Sequence, residues 1–385
     1  MNKIASIFTF RFFDFEKNQV RIGGIETYTN DLAQLFVQLG YDTTIYIPID
    51  SDENYKSSLY KGIKVQEIAK EGSFDKSFKK KYYQLGGKGI YLVMTDDMEV
   101  NSSNFKNVIT IQHGICWDSP SWAFSKKCQN RIIYPLMKLW NCYSHISIFK
   151  KASNMVCVDY NYYNWIRTLH EIPEEMNLSI IPNYSSSKMS QKEFDEKISL
   201  VDNREKAKIV FARRFTRYRG AQLFANVAKR LITKYPGLDI TFAGEGDLKQ
   251  KLVSEFKDYD NVHITHYNSE SSVEFHKQFD IAVVPTIYSE GTSLSLCEAM
   301  SAGCLPVATH VGGLTNLLID SFNGKLCYPN EDSVFNAIEE LILMPIEDYK
   351  ILLRNSYNSS TIAFSKEKWQ LRWENFITMV SKYID

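Results

Sequence analysis

Two carboxylates bracket the segment SEGTSLSLCEAMSAG (289–303), Glu290 near its start and Glu298 eight positions later, with small and apolar residues between them. Such a pair could do acid–base work, bind a polyhydroxyl ligand, or simply decorate a packed helix. DIAVVP (280–285) predicts a buried strand, TIYSEGTS (286–293) a loop, and LSLCEAMSAG a helix closed by Gly303. Glu290 then belongs to the loop and Glu298 to the helix. Gly291, Thr292, Ser293 and Leu294 fall at the helix start, where unpaired N–H groups and the helix dipole suit a diphosphate. Glu298 sits between Cys297 and Ala299 and needs a partner, because an unpaired buried charge is costly. A ribose diol or a nearby arginine would serve.

Four other segments also follow predicted strands. In RIGGIETY, Gly23 and Gly24 stand just before a helix and let backbone approach an anion without Cβ interference. No GxGxxG is present, so the dinucleotide fingerprint is absent. In IQHGICWD, His113 is placed to hydrogen-bond a sugar hydroxyl or steady a developing charge. FARRFTRYRGAQLF carries Arg213, Arg214, Arg217 and Arg219 between a strand and a helix, a residue type suited to phosphate. ITFAGEGDL ends a strand in Gly244, Glu245 and Gly246, a place where a ligand could lie close to the backbone.

These residues need a scaffold that gathers strand ends. KIASIFTF, the helical GIETYTNDLAQLFVQLG and TTIYIP form a βαβ unit and hence a parallel sheet. Further strands are expected at 63–68, 89–94, 107–112, 154–158 and 178–182, with an aromatic-rich helical stretch at 121–150. Polar 183–197 reads as a linker whose end could be helical. The alternation restarts with a strand at 207–212, a helix at 221–235, and strands in LDITFAG, NVHIT, DIAVVP and CLPVAT. A final helix over 365–384 carries Trp369, Trp373, Phe376 and Val380 on one face.

The 385 residues suit two domains, and ligands in parallel sheets bind beyond the carboxyl ends of the strands. The expected class is α/β, with two Rossmann-like parallel-sheet domains facing a central cleft. The first covers 1–190, the second 205–362, and residues 363–385 form a helix crossing back to the first.

Basic and acidic residues balance at 45 each, so no global field recruits nucleic acid. Seven scattered cysteines without a CxxC pair argue against a disulfide framework and a structural zinc site, and suit a reducing cytoplasm. The N-terminal apolar run is too short, and acids come too early, for a signal peptide; no run of eighteen apolar residues would span a membrane.

Taken in order, these pieces resemble the retaining glycosyltransferase family 4 of the GT-B fold. The carriers are Gly23-Gly24, His113, Ile181-Pro182-Asn183, RRFTRYRG, Ala243-Gly244-Glu245-Gly246 and the Glu290-x7-Glu298 signature with EAMSAGCLPV. The resemblance implies transfer of a sugar from a nucleotide-sugar donor to a glycan or lipid-linked acceptor, as in surface polysaccharide assembly, with neither metal nor cofactor. It implies that Arg214 and Arg219 neutralise the diphosphate, that Glu290 and His113 contact the donor sugar, and that Glu298 holds the ribose. Front-face substitution without a protein nucleophile would follow, so the two glutamates are not a hydrolase pair. The sequence departs from the family at Arg213, usually glycine, at Gly114, often aspartate, and at Asn316, commonly glutamate. Rival readings are a nucleotide-sugar epimerase, a phosphorylase, or a non-catalytic nucleotide-sugar-binding subunit. Basic and aromatic stretches at 76–83 and 128–151 suit either a peripheral contact with the inner membrane face or an ordinary core helix with a charged rim.

Overall fold

The computed structural model describes residues 3–21, 23–50, 55–115, 133–202, 204–268 and 271–382. They form two compact units. The first comprises residues 3–113, 133–181 and 370–382, and the second 114–115 and 182–369, each less the undescribed positions.

In the first unit, β1 (Lys3–Phe8) leads through a small hairpin, β2 (Phe13–Asp14) and β3 (Gln19–Val20), into α1 (Gly24–Gln38) and β4 (Tyr41–Ile49). β5 (Ser57–Tyr60), β6 (Ile63–Ala69), α2 (Phe74–Gln84), β7 (Ile90–Val93) and β8 (Val108–Gln112) follow. α3 (Ile133–Phe149), β9 (Asn154–Cys157), α4 (Tyr160–Leu169) and β10 (Asn177–Ile180) complete the run. The eight-stranded sheet has the order β10-β9-β8-β7-β1-β4-β6-β5, parallel except for β5. Every residue of β7, β8 and β9 is buried, which is why these strands read as continuous apolar runs. α1 buries Tyr28, Leu32, Leu35 and Phe36, the helical spacing visible in the sequence. Of the helix expected over 121–150, the part before residue 133 lies outside the described residues, as do Cys116 and Cys128.

The second unit opens with α5 (Gln191–Ser199), at the end of the expected linker, the part that the sequence left open to a helix. A capping box starts it: Ser190 accepts from the Glu193 amide, and Glu193 reaches back to the Ser190 amide. Then come β11 (Lys208–Ala212), α6 (Ala221–Lys234), β12 (Asp239–Ala243), α7 (Lys249–Phe256), β13 (Val262–Thr265) and α8 (Ser272–His276). β14 (Ile281–Val284), α9 (Leu294–Ser301), β15 (Leu305–Thr309), β16 (Lys325–Cys327), α10 (Glu331–Leu343) and α11 (Ile346–Asn358) follow. All six strands are parallel, in the order β13-β12-β11-β14-β15-β16. The direction of winding reverses between β11 and β14. In open parallel sheets such a reversal point, beyond the carboxyl ends of the strands, is where ligands commonly bind.

α12 (Lys366–Ser381) ends the chain, and its residues from Gln370 onward belong to the first unit. There Trp373 is fully buried and its Nε1–H donates to the Tyr28 hydroxyl at 2.9 Å. Trp369 belongs to the second unit and packs on Tyr184, with ring centroids 4.4 Å apart.

Candidate functional site

The reversal point of the second sheet holds a buried charge cluster. Arg213 is the first residue after β11, and Thr286 and Glu290 lie just beyond β14. The Glu290 side chain is only 8% exposed, yet it is ringed by donors. Arg213 Nη2 donates to its Oε2 at 2.7 Å, Thr286 Oγ1 at 3.0 Å, and Arg219 Nη1 donates to the same oxygen. Burial alone would raise the Glu290 pKa; the two guanidiniums and the hydrogen bonds outweigh it and hold the carboxyl at about 2. Glu290 is therefore ionised throughout the neutral range. All three donors converge on Oε2, and Oε1 has no hydrogen-bond partner among the described residues.

Backbone stitching holds this arrangement. The Ile287 amide donates to the Tyr218 carbonyl at 2.9 Å, joining the loop after β14 to the loop after β11. Gly220, which starts α6 at φ +81°, lies so close to Pro285 that a Cβ there would sit 1.9 Å from its carbonyl oxygen. On the other side the Gly313 amide donates to the Glu290 carbonyl at 2.8 Å. A Cβ on Gly313 would come within 2.4 Å of Gly291 C and 2.5 Å of Thr292 N. Gly114 presses on the same loop: a Cβ would lie 2.8 Å from the Gly291 amide nitrogen. A larger side chain at that position has no room here.

α9 begins where that loop ends. Ser293 is its N-cap and accepts from the Leu296 amide. The Leu294 and Ser295 amides have no acceptor among the described residues, and both residues are half-buried. Thr292 is fixed from behind: its Oγ1 accepts from the Asn183 amide at 2.8 Å, and its carbonyl accepts from the Asn183 side chain. Four residues into the helix, Glu298 is 9% exposed and accepts from Ser272 Oγ at 2.7 Å. Ser272 is set by α8, whose His276 bonds the Ser272 carbonyl through Nδ1 at 2.7 Å. Tyr267 stacks on Phe275 beside this helix, with ring centroids 4.6 Å apart. Burial, and after it the nearby Glu298 charge, lifts the pKa of the Tyr267 hydroxyl.

The remaining expected residues are distributed differently. Arg214 is exposed beside the Tyr218 ring, 5.9 Å from its centroid, and it is Arg213 and Arg219 that meet Glu290. Glu245 is exposed and paired with Lys249 at 2.6 Å. Gly244 and Gly246 make room for protein backbone: a Cβ on either would strike the carbonyl oxygen of Arg213 or of Phe215. In the first unit, Gly23 precedes α1, and the Glu26 carboxylate fills the space a Gly23 Cβ would take. Gly24 is exposed as the first residue of α1.

His113 follows β8 in the first unit. Its Nε2 lies 2.8 Å from the Met94 carbonyl oxygen, which can only accept, so Nε2 carries the proton. Burial lowers its pKa despite the carbonyl bond and the nearby Asp96 charge. The imidazole is thus neutral near pH 7, with Nδ1 left as an acceptor. Tyr28 contacts it edge-on, ring centroids 5.3 Å apart.

Sequence reasoning named Arg213 only within the arginine run and as a departure from the family, and it missed Thr286, Ser272 and Gly313. Arg213 alone left a signal: an arginine directly after a buried strand must find an acid. Among the described residues, no group of three or more His, Cys, Asp or Glu is placed to hold a metal ion. No helix of the described residues is long and apolar enough to cross a membrane.

Residues 192–359 match the family described as glycosyl transferases group 1. A D-inositol 3-phosphate glycosyltransferase of Arthrobacter sp. is 30% identical over 127 residues, 31% of this chain and 30% of that protein. A glycogen synthase of Clostridium kluyveri is 21% identical over 295 residues, covering 71% of this chain and 57% of the relative. The chain thus spans about a third to about a half of the lengths of these relatives. Among solved structures, sucrose-phosphate synthase of Thermosynechococcus elongatus superposes with a TM-score of 0.72 at 15% identity, over 99% of this chain and 100% of that one. Anabaena HepE in complex with UDP and glucose gives 0.69 at 14% identity, over 98% and 100%. The chain has the two-domain α/β fold of the GT-B glycosyltransferases, and its residues 192–359 match glycosyl transferases group 1.

Proposed function

We propose that the protein is a retaining glycosyltransferase that moves a sugar from a nucleotide-sugar donor to a glycan or lipid-linked glycan acceptor. The observation that carries this is the Glu290 carboxylate: Oε2 is saturated by Arg213, Arg219 and Thr286, and Oε1 is left to accept hydroxyls of the donor sugar. The donor diphosphate lies against Arg219, Arg214 and the open amides at the start of α9, which offset its charge without a metal. Glu298 accepts from the ribose diol. In the first unit, His113 offers Nδ1 as an acceptor suited to a sugar hydroxyl.

In the transfer itself the bond from the anomeric carbon to the diphosphate oxygen breaks. The acceptor oxygen bonds to the same face of that carbon, and its proton passes to the departing phosphoryl oxygen. The protein's part is to hold the donor, balance charge as it collects on the leaving group, and exclude water. Arg213, where glycine is usual, keeps Glu290 ionised and fixes its second oxygen. The family resemblance favours an acceptor in surface polysaccharide or glycoconjugate assembly.

The test is release of nucleoside diphosphate from a panel of UDP-, GDP- and ADP-sugars with glycan and lipid-linked acceptors, with product anomers read by NMR. Transfer with retained configuration, abolished in Glu290→Ala, is expected. Donor binding without transfer or hydrolysis across the panel would overturn the enzymatic reading in favour of a binding subunit.

A further inference from the structure

Helix α3 carries an apolar face that nothing in the described structure covers. Leu136 is 61% exposed, Leu139 66%, Trp140 71% and Tyr143 67%. Their spacing of three, four and seven gathers them on an arc of roughly 100° along one side of the helix. This is the reverse of an ordinary core helix, whose large apolar residues turn inward. The inward residues of α3 are His145, Ile148 and Phe149.

Charge along this helix has one sign. From residue 133 to residue 151 there are three lysines, Lys138, Lys150 and Lys151, and no aspartate or glutamate. None of the three has an ion-pair partner among the described residues, although Lys138 lies 4.8 Å from the Tyr134 ring centroid. A second copy of the chain docked face to face would bring like charges together, and an acid-free apolar face is poorly matched to such a contact. An anionic lipid surface matches both properties, since its interior takes the leucines, its interfacial layer takes Trp140 and Tyr143, and its headgroups attract Lys150 and Lys151 at the end of the same side.

We propose that the outer face of α3 docks the protein onto an anionic lipid bilayer, with the helix axis lying along the membrane surface. The buried side of the same helix supports the choice. His145 Nδ1 lies 3.7 Å from Asp96 Oδ2, and Asp96 directly follows the exit of β7, the strand next to the one that delivers His113. One helix therefore presents its outside to the bilayer and its inside to the rim of the sheet where His113 stands. This deepens the lipid-linked acceptor reading given above and rests on it for its purpose, but membrane docking is read out with no sugar transferred.

The experiment is co-sedimentation of the full chain with vesicles of neutral phosphatidylcholine, and with vesicles that also contain anionic phosphatidylglycerol. Wild type is expected to sediment with the anionic vesicles and much less with the neutral ones. Leu139→Ser/Trp140→Ser, two exposed positions checked for folding by circular dichroism, should lower vesicle partition by roughly tenfold. Lys150→Glu/Lys151→Glu should abolish the preference for anionic lipid. The difference in emission between wild type and Trp140→Phe should move to the blue on vesicle addition. Wild type that stays in the supernatant, or a folded double serine variant that sediments as well as wild type, overturns the proposal. So does a concentration-dependent dimer, seen by sedimentation velocity, that the double serine variant abolishes. Loss of vesicle binding with sugar transfer intact in detergent leaves the catalytic reading standing; vesicle binding without any transfer leaves the docking surface standing.

Discussion

Replacing Glu290 with glutamine should destabilise the second unit by about 3 kcal/mol at pH 7. The magnitude follows from the site. The Glu290 carboxyl is held at about 2, against an ordinary value of 4.5, while 8% exposed. A displacement of that size at about 1.4 kcal/mol per pH unit corresponds to about 3 kcal/mol of extra interaction in the folded state. Stranding one member of a buried ion pair costs about 3–5 kcal/mol, so the second route gives the same order. Because the folded-state pKa is depressed, the contribution is complete above pH about 4.5 and is lost as pH falls through about 2. Urea unfolding of wild type and Glu290→Gln should therefore differ by a constant amount from pH 7 to pH 5. By pH 3 the gap should be less than half as large. In a thermal scan at pH 7 the transition of the second unit should fall by roughly 6–12 °C. Arg213→Met/Glu290→Gln should be more stable than Glu290→Gln alone, because it removes the guanidinium left without its acid. A loss below about 0.5 kcal/mol at pH 7, the range of ordinary surface changes, would refute the reasoning. A gap of undiminished size at pH 3 would refute it as well.

Three further outcomes follow from the same geometry. Gly313→Ala places a Cβ 2.4 Å from Gly291 C and 2.5 Å from Thr292 N, so it should destabilise the second unit by about 1–3 kcal/mol in urea and weaken nucleotide binding. Ser272→Ala removes the hydroxyl that donates to Glu298, and calorimetry should show nucleoside diphosphate binding loosened by roughly tenfold while inorganic pyrophosphate binding is unchanged. Trp373→Phe leaves the Tyr28 hydroxyl without its buried donor and should cost the first unit about 1–2 kcal/mol in urea, with Tyr28→Phe/Trp373→Phe recovering part of it.

Much of this fold is visible in the sequence because parallel strands covered on both faces become unbroken apolar runs. IYLV, VITIQ, KIVFA and IAVV are buried at nearly every position, and each was identifiable without a structure. Elements that bury little were not. β5, SSLY, is an antiparallel edge strand with no buried residue, and it left no apolar pattern. α5 buries only Phe194 and Ile198, so its charged remainder resembles a linker; the Ser190–Glu193 cap was its one local sign. α3 is apolar enough to pass for a core helix, and only the structure shows that Leu136, Leu139, Trp140 and Tyr143 face outward.

The site was legible in its residue types and less so in its pairings. The glutamate spacing, the arginine run and the helix start at Leu294 were all marked by their place after a strand. Which arginine meets Glu290 depends on side-chain direction at the end of β11, where Arg213 turns into the sheet crevice and Arg214 is exposed. That choice is made by packing between loops distant in sequence. The glycines of AGEG illustrate the same limit. Their spacing suggested close approach of a ligand, and in the fold they admit the backbone of Arg213 and Phe215.

The central claim is that Arg219, Glu290 and the start of α9 form the seat of a nucleoside diphosphate that needs no metal. Calorimetric titration of the protein with UDP, GDP and ADP in the presence of EDTA tests it most directly. One of the three should bind at a single site, and Arg219→Met should weaken that binding by about 10- to 100-fold, as expected for loss of a charged hydrogen bond to phosphate. No binding of any of the three by the wild-type protein, or equal affinity in Arg219→Met, would contradict the account.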